Sequence, residues 1–222
     1  MLFEYPAKAK FGRTVPKSKL YENAKISTKL KDKFVKQIDK IVWKYKLAPE
    51  TTNLGATDNV PEIQVFAIYL KGDEIDDVLL QIIDKAINFP IIFQLYKSDQ
   101  IKVKSAYKRP SASANNKWVI ETYFESTWLD KNTEKQPMPQ ALDLSGLYEQ
   151  ILQSLMPTEI IDTKTSQTLD QQVDKINKIE SAQKQLDKLQ VKLTKEKQFG
   201  RKADINKQLK IKQKQLDKLK AQ

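Results

Sequence analysis

From about residue 165 to its last residue the chain carries no proline and a single glycine, Gly200. Across this run Val173, Ile176, Ile179, Ala182, Leu186, Leu189 and Leu193 recur in steps of three and four. Ile205, Leu209, Leu216 and Leu219 continue the pattern with one gap at Lys212, and the hexapeptide KQLDKL occurs at both 184–189 and 214–219. An apolar stripe of that period buries itself as one face of a helix against another helix. One unbroken helix would hold Gly200 in its interior at about 1 kcal/mol relative to alanine. The spacing therefore predicts an antiparallel helical hairpin over 164–222, a coiled coil turning at Phe199-Gly200-Arg201. Its arms would be roughly 30 and 20 residues long, the longer reaching on the order of 45 Å. Gln183 and Gln190 fall at seam positions in this reading and weaken it.

Upstream the pattern changes. Residues 1–27 hold Lys8, Lys10, Arg13, Lys17, Lys19 and Lys25, with Pro6 and Pro16 against a continuous helix. They read as a basic N-terminal arm, either extended or packed on the domain with Tyr5, Phe11 and Tyr21 in its core. Leu30, Phe34, Ile38, Ile41, Val42 and Tyr45 then predict a helix over 28–47, ended by Pro49. A buried strand follows at 63–70, and a helix at 74–87 with acidic residues in its first turn. Strands are expected at 90–97, 101–108 and 118–129, the first two joined by a tight turn at Ser98-Asp99-Gln100. The second alternates Ile101, Val103, Ser105 and Tyr107 against Lys102, Lys104, Ala106 and Lys108, the pattern of a half-exposed strand. No segment between these three is long enough for a crossover helix, so they form an antiparallel meander with helices on one face. A last helix is expected at 142–155. The fold class is α+β: a mostly antiparallel sheet of about four or more strands with flanking helices in a domain over 28–160, followed by the coiled-coil hairpin.

Neither cysteine nor histidine occurs among the 222 residues. Disulfides, thiolate zinc sites, cysteine nucleophiles and the Ser-His-Asp triad are thereby excluded. The five glycines are scattered and form neither a P-loop nor a dinucleotide fingerprint. No stretch approaches a membrane span, and Glu4 and Pro6 stand where a signal peptide needs an apolar run, so a cytoplasmic location is expected. The net charge of +11 is unevenly spread: residues 1–57 carry +8, residues 58–163 carry −6 and residues 164–222 carry +9. Two basic ends around an acidic middle suit a polyanion, an acidic partner, or each other.

Four sets of residues carry candidate chemistry. Lys195, Lys197, Arg201 and Lys202 cluster at the hairpin tip, where four cations meet several phosphates or merely solvate a coiled coil. Lys17 and Lys19 offer the same choice in the arm, whose aromatics interleave with its cations as in single-strand binders. Trp43, Lys44, Lys46, Glu50 and Asn53, in a polar stretch leading to a strand, are candidates for a pocket. Asp58, Glu62 and Glu121 are the carboxylates a Mg²⁺-dependent nuclease would need. Such an enzyme of the restriction type wants Glu-x-Lys on a strand, however, and here Gln64 stands in the lysine's place. No resident metal or cofactor is expected, and a non-catalytic role is favoured over an enzymatic one.

VPKSKLYEN (15–23), STKLKDKF (27–34), IVWKYKLAPETTNL (41–54) and EIQVFAIYLK (62–71), followed by IDKAI and PIIF, occur here in order. Over roughly residues 10–155 the chain resembles an uncharacterised prokaryotic family catalogued as a domain of unknown function. The genes of that family tend to sit beside helicases and DNA methyltransferases in restriction-like or antiphage islands. The resemblance implies a small accessory subunit that acts on DNA with a helicase or methyltransferase partner. It gives no catalytic residue and leaves the role of the hairpin open. Two further readings stand beside it: a Mg²⁺-dependent nuclease using Asp58, Glu62 and Glu121, and an assembly module whose coiled coil pairs with a second copy or another protein.

Overall fold

The structure is a computed structural model that describes residues 2–24, 26–111, 118–157 and 167–221. The chain divides into two compact units, residues 1–156 and 157–222. The expected domain boundaries at 160 and 164 lie outside the described residues.

Among the described residues the first unit is built on a seven-stranded sheet. Its path runs β2 (Lys10–Thr14), β3 (Ile38–Leu47), β4 (Ile63–Leu70), β5 (Ile91–Lys97), β6 (Gln100–Pro110) and β7 (Trp118–Glu125), with β8 (Leu129–Asp130) also paired to β6. Two short strands, β1 (Phe3–Glu4) and β9 (Gln136–Pro137), pair separately. All neighbours in the large sheet are antiparallel except β4 and β5, which are parallel. The helix α4 (Asp77–Ala86) makes the crossover that this parallel pair requires. Further on, β5, β6 and β7 form the expected antiparallel meander.

Alternation along β4 and β5 sorts the core into two faces. Phe66, Ile68, Phe93 and Leu95 pack with Leu79, Leu80 and Ile83 of α4 and with Phe34 of α2 (Thr28–Gln37). Leu20 of α1 (Lys17–Ala24) joins them. The opposite face is covered over β6 and β7 by α5 (Leu144–Leu155). Its Tyr148 hydroxyl donates to the Ala106 carbonyl, and its N-cap Asp143 accepts from the Gly146 N–H at 2.8 Å. A helix on each face thus replaces the expected arrangement with helices on one face.

The expected helix over 28–47 is half strand. It ends at Gln37, and Ile38–Leu47 is β3. Register shifts between Ile38 and Lys40 and between Trp43 and Tyr45 show why the periodicity misled. Each extra residue turns a step of two into a step of three, so Ile38, Ile41 and Trp43 share one sheet face at what looks like helical spacing. The basic arm is folded into the same sheet: β2 pairs with β3, Tyr5 is buried against Tyr45, and Phe11 packs on Trp43. The half-exposed reading of β6 also gives way, because Lys104 and Lys108 are buried. Lys104 reaches Asp77 and Glu125, both at 2.8 Å, and Lys108 reaches the carbonyls of Asp84 and Ile87.

The second unit is the helical hairpin, α6 (Leu169–Lys195) and α7 (Phe199–Ala221). Thr168 and Gln171 cap α6 reciprocally, as a capping box does. Ile179, Leu186 and Leu216 are its buried seam, with Ala182, Leu209 and Leu219 packed beside them. The turn is Glu196–Gln198, upstream of the expected one, and Gly200 lies inside the first turn of α7. Gln183 and Gln190 point out of the seam rather than into it, and Gln183 donates to Asp187 one turn on. Among the described residues no helix is long and apolar enough to cross a membrane.

Candidate nucleic-acid interface

The three carboxylates of the nuclease reading are not brought together. Glu62 immediately precedes β4, Glu121 sits on β7 with β5 and β6 between them, and Asp58 is exposed in the preceding loop. Three strand spacings put β4 and β7 about 14 Å apart. Both glutamates are already engaged: Glu62 accepts from Gln64 at 2.5 Å and lies 3.3 Å from Lys46, while Glu121 accepts from both Nε and Nη2 of Arg109. Among the described residues no group of three or more carboxylates is placed to hold a metal ion.

The candidate pocket residues also part company. Trp43 turns to the helix-covered face, its ring stacked on Phe66 at 5.9 Å and its Nε1 donating to the Tyr45 carbonyl. Lys46 lies between Glu50 and Glu62, and its hydrogen bond to Glu50 is the largest of the effects holding its ammonium above the ordinary lysine range. Asn53 caps the short helix α3 (Pro49–Thr52) in the left-handed region, φ 60°, a conformation asparagine tolerates better than most residues. Lys44 is different. As the extra residue of the bulge in β3 it has no cross-strand partner on β4, and on the face opposite Trp43 it donates to Gln94 at 3.0 Å and to the Tyr96 hydroxyl at 2.7 Å.

Of the basic residues, Lys17 is half-buried and donates to the Ile38 carbonyl at 2.5 Å, capping the junction of α2 and β3. Burial, with Lys71 adding to it, lowers its affinity for a proton. Lys19 is exposed. At the hairpin tip Lys195 ends α6, Lys197 stands in the turn, and Arg201 and Lys202 lie in the first turn of α7; all four are exposed. Between them Phe199 is 87% exposed, an aromatic ring with no core to fill. The one carboxylate in the turn is Glu196, which accepts from the backbone N–H groups of Lys197 and Gln198. Those two bonds hold its carboxyl below the usual range and fix the turn.

Sequence reasoning missed one further assembly. On the sheet face that α5 leaves open, Tyr69 of β4 and Tyr96 of β5 stack with centroids 5.0 Å apart and planes at 16°. Lys40 of β3 holds its ammonium 4.4 Å from the Tyr69 centroid. Burial pushes the Tyr96 hydroxyl up to about 12, so it stays neutral and donates steadily to Gln94. Beside the stack a cavity of 300 Å³ is lined by Tyr5, Lys44, Tyr45, Gln94, Lys131 and Lys135 among others. The tyrosines were visible in the sequence as members of two strands. Only the register, which no local pattern encodes, makes them neighbours.

No curated protein and no solved structure matches the chain. The sequence model of the family described as Domain of unknown function (DUF4391) matches residues 3–216, from β1 through most of α7. The chain therefore belongs to that family, and the hairpin lies within the matched region rather than outside it.

Proposed function

We propose that the chain is a non-catalytic accessory subunit of a bacterial DNA-defence or restriction-like complex, which holds DNA through the basic tip of its hairpin and a larger helicase or methyltransferase subunit through another surface. The observation that carries the DNA part is the tip itself: Lys195, Lys197, Arg201 and Lys202 surround an exposed Phe199 at the end of a two-helix arm. A purely solvated coiled coil gains nothing from an exposed phenylalanine there. A duplex gives both groups a use, the cations at phosphates and the ring at a groove or a base step. The larger partner is supported by the gene neighbourhood that the family resemblance implies. The separation of Glu62 from Glu121 by two strands favours the non-catalytic reading over the nuclease.

The test is binding of a labelled duplex across a salt series, by the parent protein and by a variant with Lys195, Lys197, Arg201 and Lys202 all changed to Glu. Four lost phosphate contacts should remove about 3 to 4 from the slope of log affinity against log salt. Unchanged affinity with an unchanged slope would sink the reading.

A further inference from the structure

The open face of the sheet has a composition that its own stability does not call for. Two parallel tyrosine rings stand on neighbouring strands, half exposed, with a cation over the outer face of one and a cation bonded to the hydroxyl of the other. The row runs Lys40, Tyr69, Tyr96 across β3, β4 and β5, in register. Lys44 adds its ammonium 5.1 Å from the Tyr96 centroid. Among the described residues Lys40, Lys44 and Lys135 have no carboxylate in ion-pair contact, whereas Lys131 is paired with Asp99. The surface is thus a short column of π-faces edged by unneutralised positive charge.

We propose that this face binds single-stranded nucleic acid, with a base stacked on Tyr69 at the end of the Tyr69–Tyr96 column and the flanking phosphates met by Lys40, Lys44 and Lys135. An exposed lysine over a tyrosine is held more weakly than a nucleobase on the same ring, so the base takes the place of the Lys40 ammonium. The freed lysine, on an exposed and flexible stem, meets the phosphate that arrives with the base. The cavity beside Tyr96, walled by Tyr5 and Tyr45, is large enough for a second base. Duplex is excluded from the column because its bases are already stacked on one another. The proposal rests on the reading of the chain as a nucleic-acid binder, yet it uses a different unit and a different form of the ligand.

The full-length protein is titrated with labelled oligothymidylate, oligouridylate and a DNA duplex, as the parent and as Tyr69→Ala/Tyr96→Ala. Removing both rings should weaken single-strand binding by about tenfold or more while duplex binding stays unchanged. The paired change to phenylalanine keeps the rings and should retain most of the single-strand affinity. Lys40→Glu should weaken single-strand binding and lower its salt dependence, with an unaltered melting temperature. A preference for either oligonucleotide supports the proposal and names the natural strand. Equal single-strand affinity for the parent and the alanine pair, or an equal fall for duplex and single strand, overturns it. Reversal of the hairpin-tip cations separates the two readings: single-strand binding should survive that change, and a duplex affinity that also survives it removes the tip reading alone.

Discussion

Among the described residues Asp84 and Lys108 are the most deeply buried ion pair of the first unit, both side chains 1% exposed. Lys108 caps the end of α4, donating to the carbonyls of Asp84 at 2.6 Å and Ile87 at 2.5 Å, and the Tyr123 hydroxyl donates to the Asp84 carboxylate. Burial nevertheless outweighs these partners: it pushes the Asp84 carboxyl up to about 6 and the Lys108 ammonium down. The folded protein then holds the Asp84 proton more tightly than the unfolded chain does. Stability from this group is complete below about pH 4 and is lost as the pH rises through about 6, on the order of 3 kcal/mol in all. Urea unfolding of Asp84→Asn against the parent should show a flatter stability profile between those pH values; parallel profiles would contradict this. Backbone strain sits elsewhere, at Ser98, whose φ of 46° makes the two-residue turn between β5 and β6. Glycine removes a left-handed penalty of about 1–2 kcal/mol and adds about 0.5–1 of unfolded-chain entropy, so Ser98→Gly should stabilise by about 0.5 kcal/mol. A melting temperature that falls would count against it.

At the scale of elements, the bulges of β3 and the turn of the hairpin have the largest consequences. The bulge at Trp43–Tyr45 puts two consecutive residues, Lys44 and Tyr45, on one face beside Tyr96, while Trp43 stays in the helix-side core. In the hairpin the reversal is made by Glu196, whose carboxylate accepts two backbone N–H groups at 2.9 and 3.0 Å, and not by the glycine. Gly200 has an ordinary helical conformation, and an added Cβ would meet nothing within 4 Å. Gly200→Ala should therefore stabilise the hairpin by up to about 1 kcal/mol, seen as a higher midpoint in thermal circular dichroism. Destabilisation would mean that the turn does involve Gly200 after all.

Across the whole molecule, charge and aromatic surface divide the two proposed contacts. The residues of the hairpin carry +9 and its exposed tip has one phenylalanine, whereas the stacked rings of the open sheet face are bordered by Lys40, Lys44 and Lys135, which among the described residues have no carboxylate in ion-pair contact. Counterion release follows the cations and stacking does not. The salt dependence of duplex binding should accordingly fall when the tip is reversed and stay unchanged in Tyr69→Ala/Tyr96→Ala. In that tyrosine variant single-strand affinity should drop by a constant factor at every salt concentration. A slope that changes with the rings instead would show that their loss had moved the lysines.

Much of the architecture was legible in local pattern. The hairpin, α4, the strands β4 to β6 and the tight turn at Ser98 follow from runs whose apolar period suits one structure and from residues that fit one backbone conformation. The bulged strand was not, because two inserted residues imitate a helix in any reading that sees only spacing. The buried lysines of β6 were not either: alternation says which face a residue is on, and only the packing of α4 with Asp77 and Asp84 says that this face is covered. The cluster of cations at the hairpin tip is legible in the sequence, since sequence neighbours around a turn remain spatial neighbours. The Tyr69–Tyr96 column was invisible for the opposite reason. Its members lie 27 residues apart and meet only because α4 returns the chain to lie parallel beside β4. Sequence by itself determined the helices, the strand alternation and the distribution of charge, which depend on contacts within a few residues. Tertiary structure alone decided register, coverage of each face and which aromatic rings stand together, because those depend on pairings the chain makes at long range.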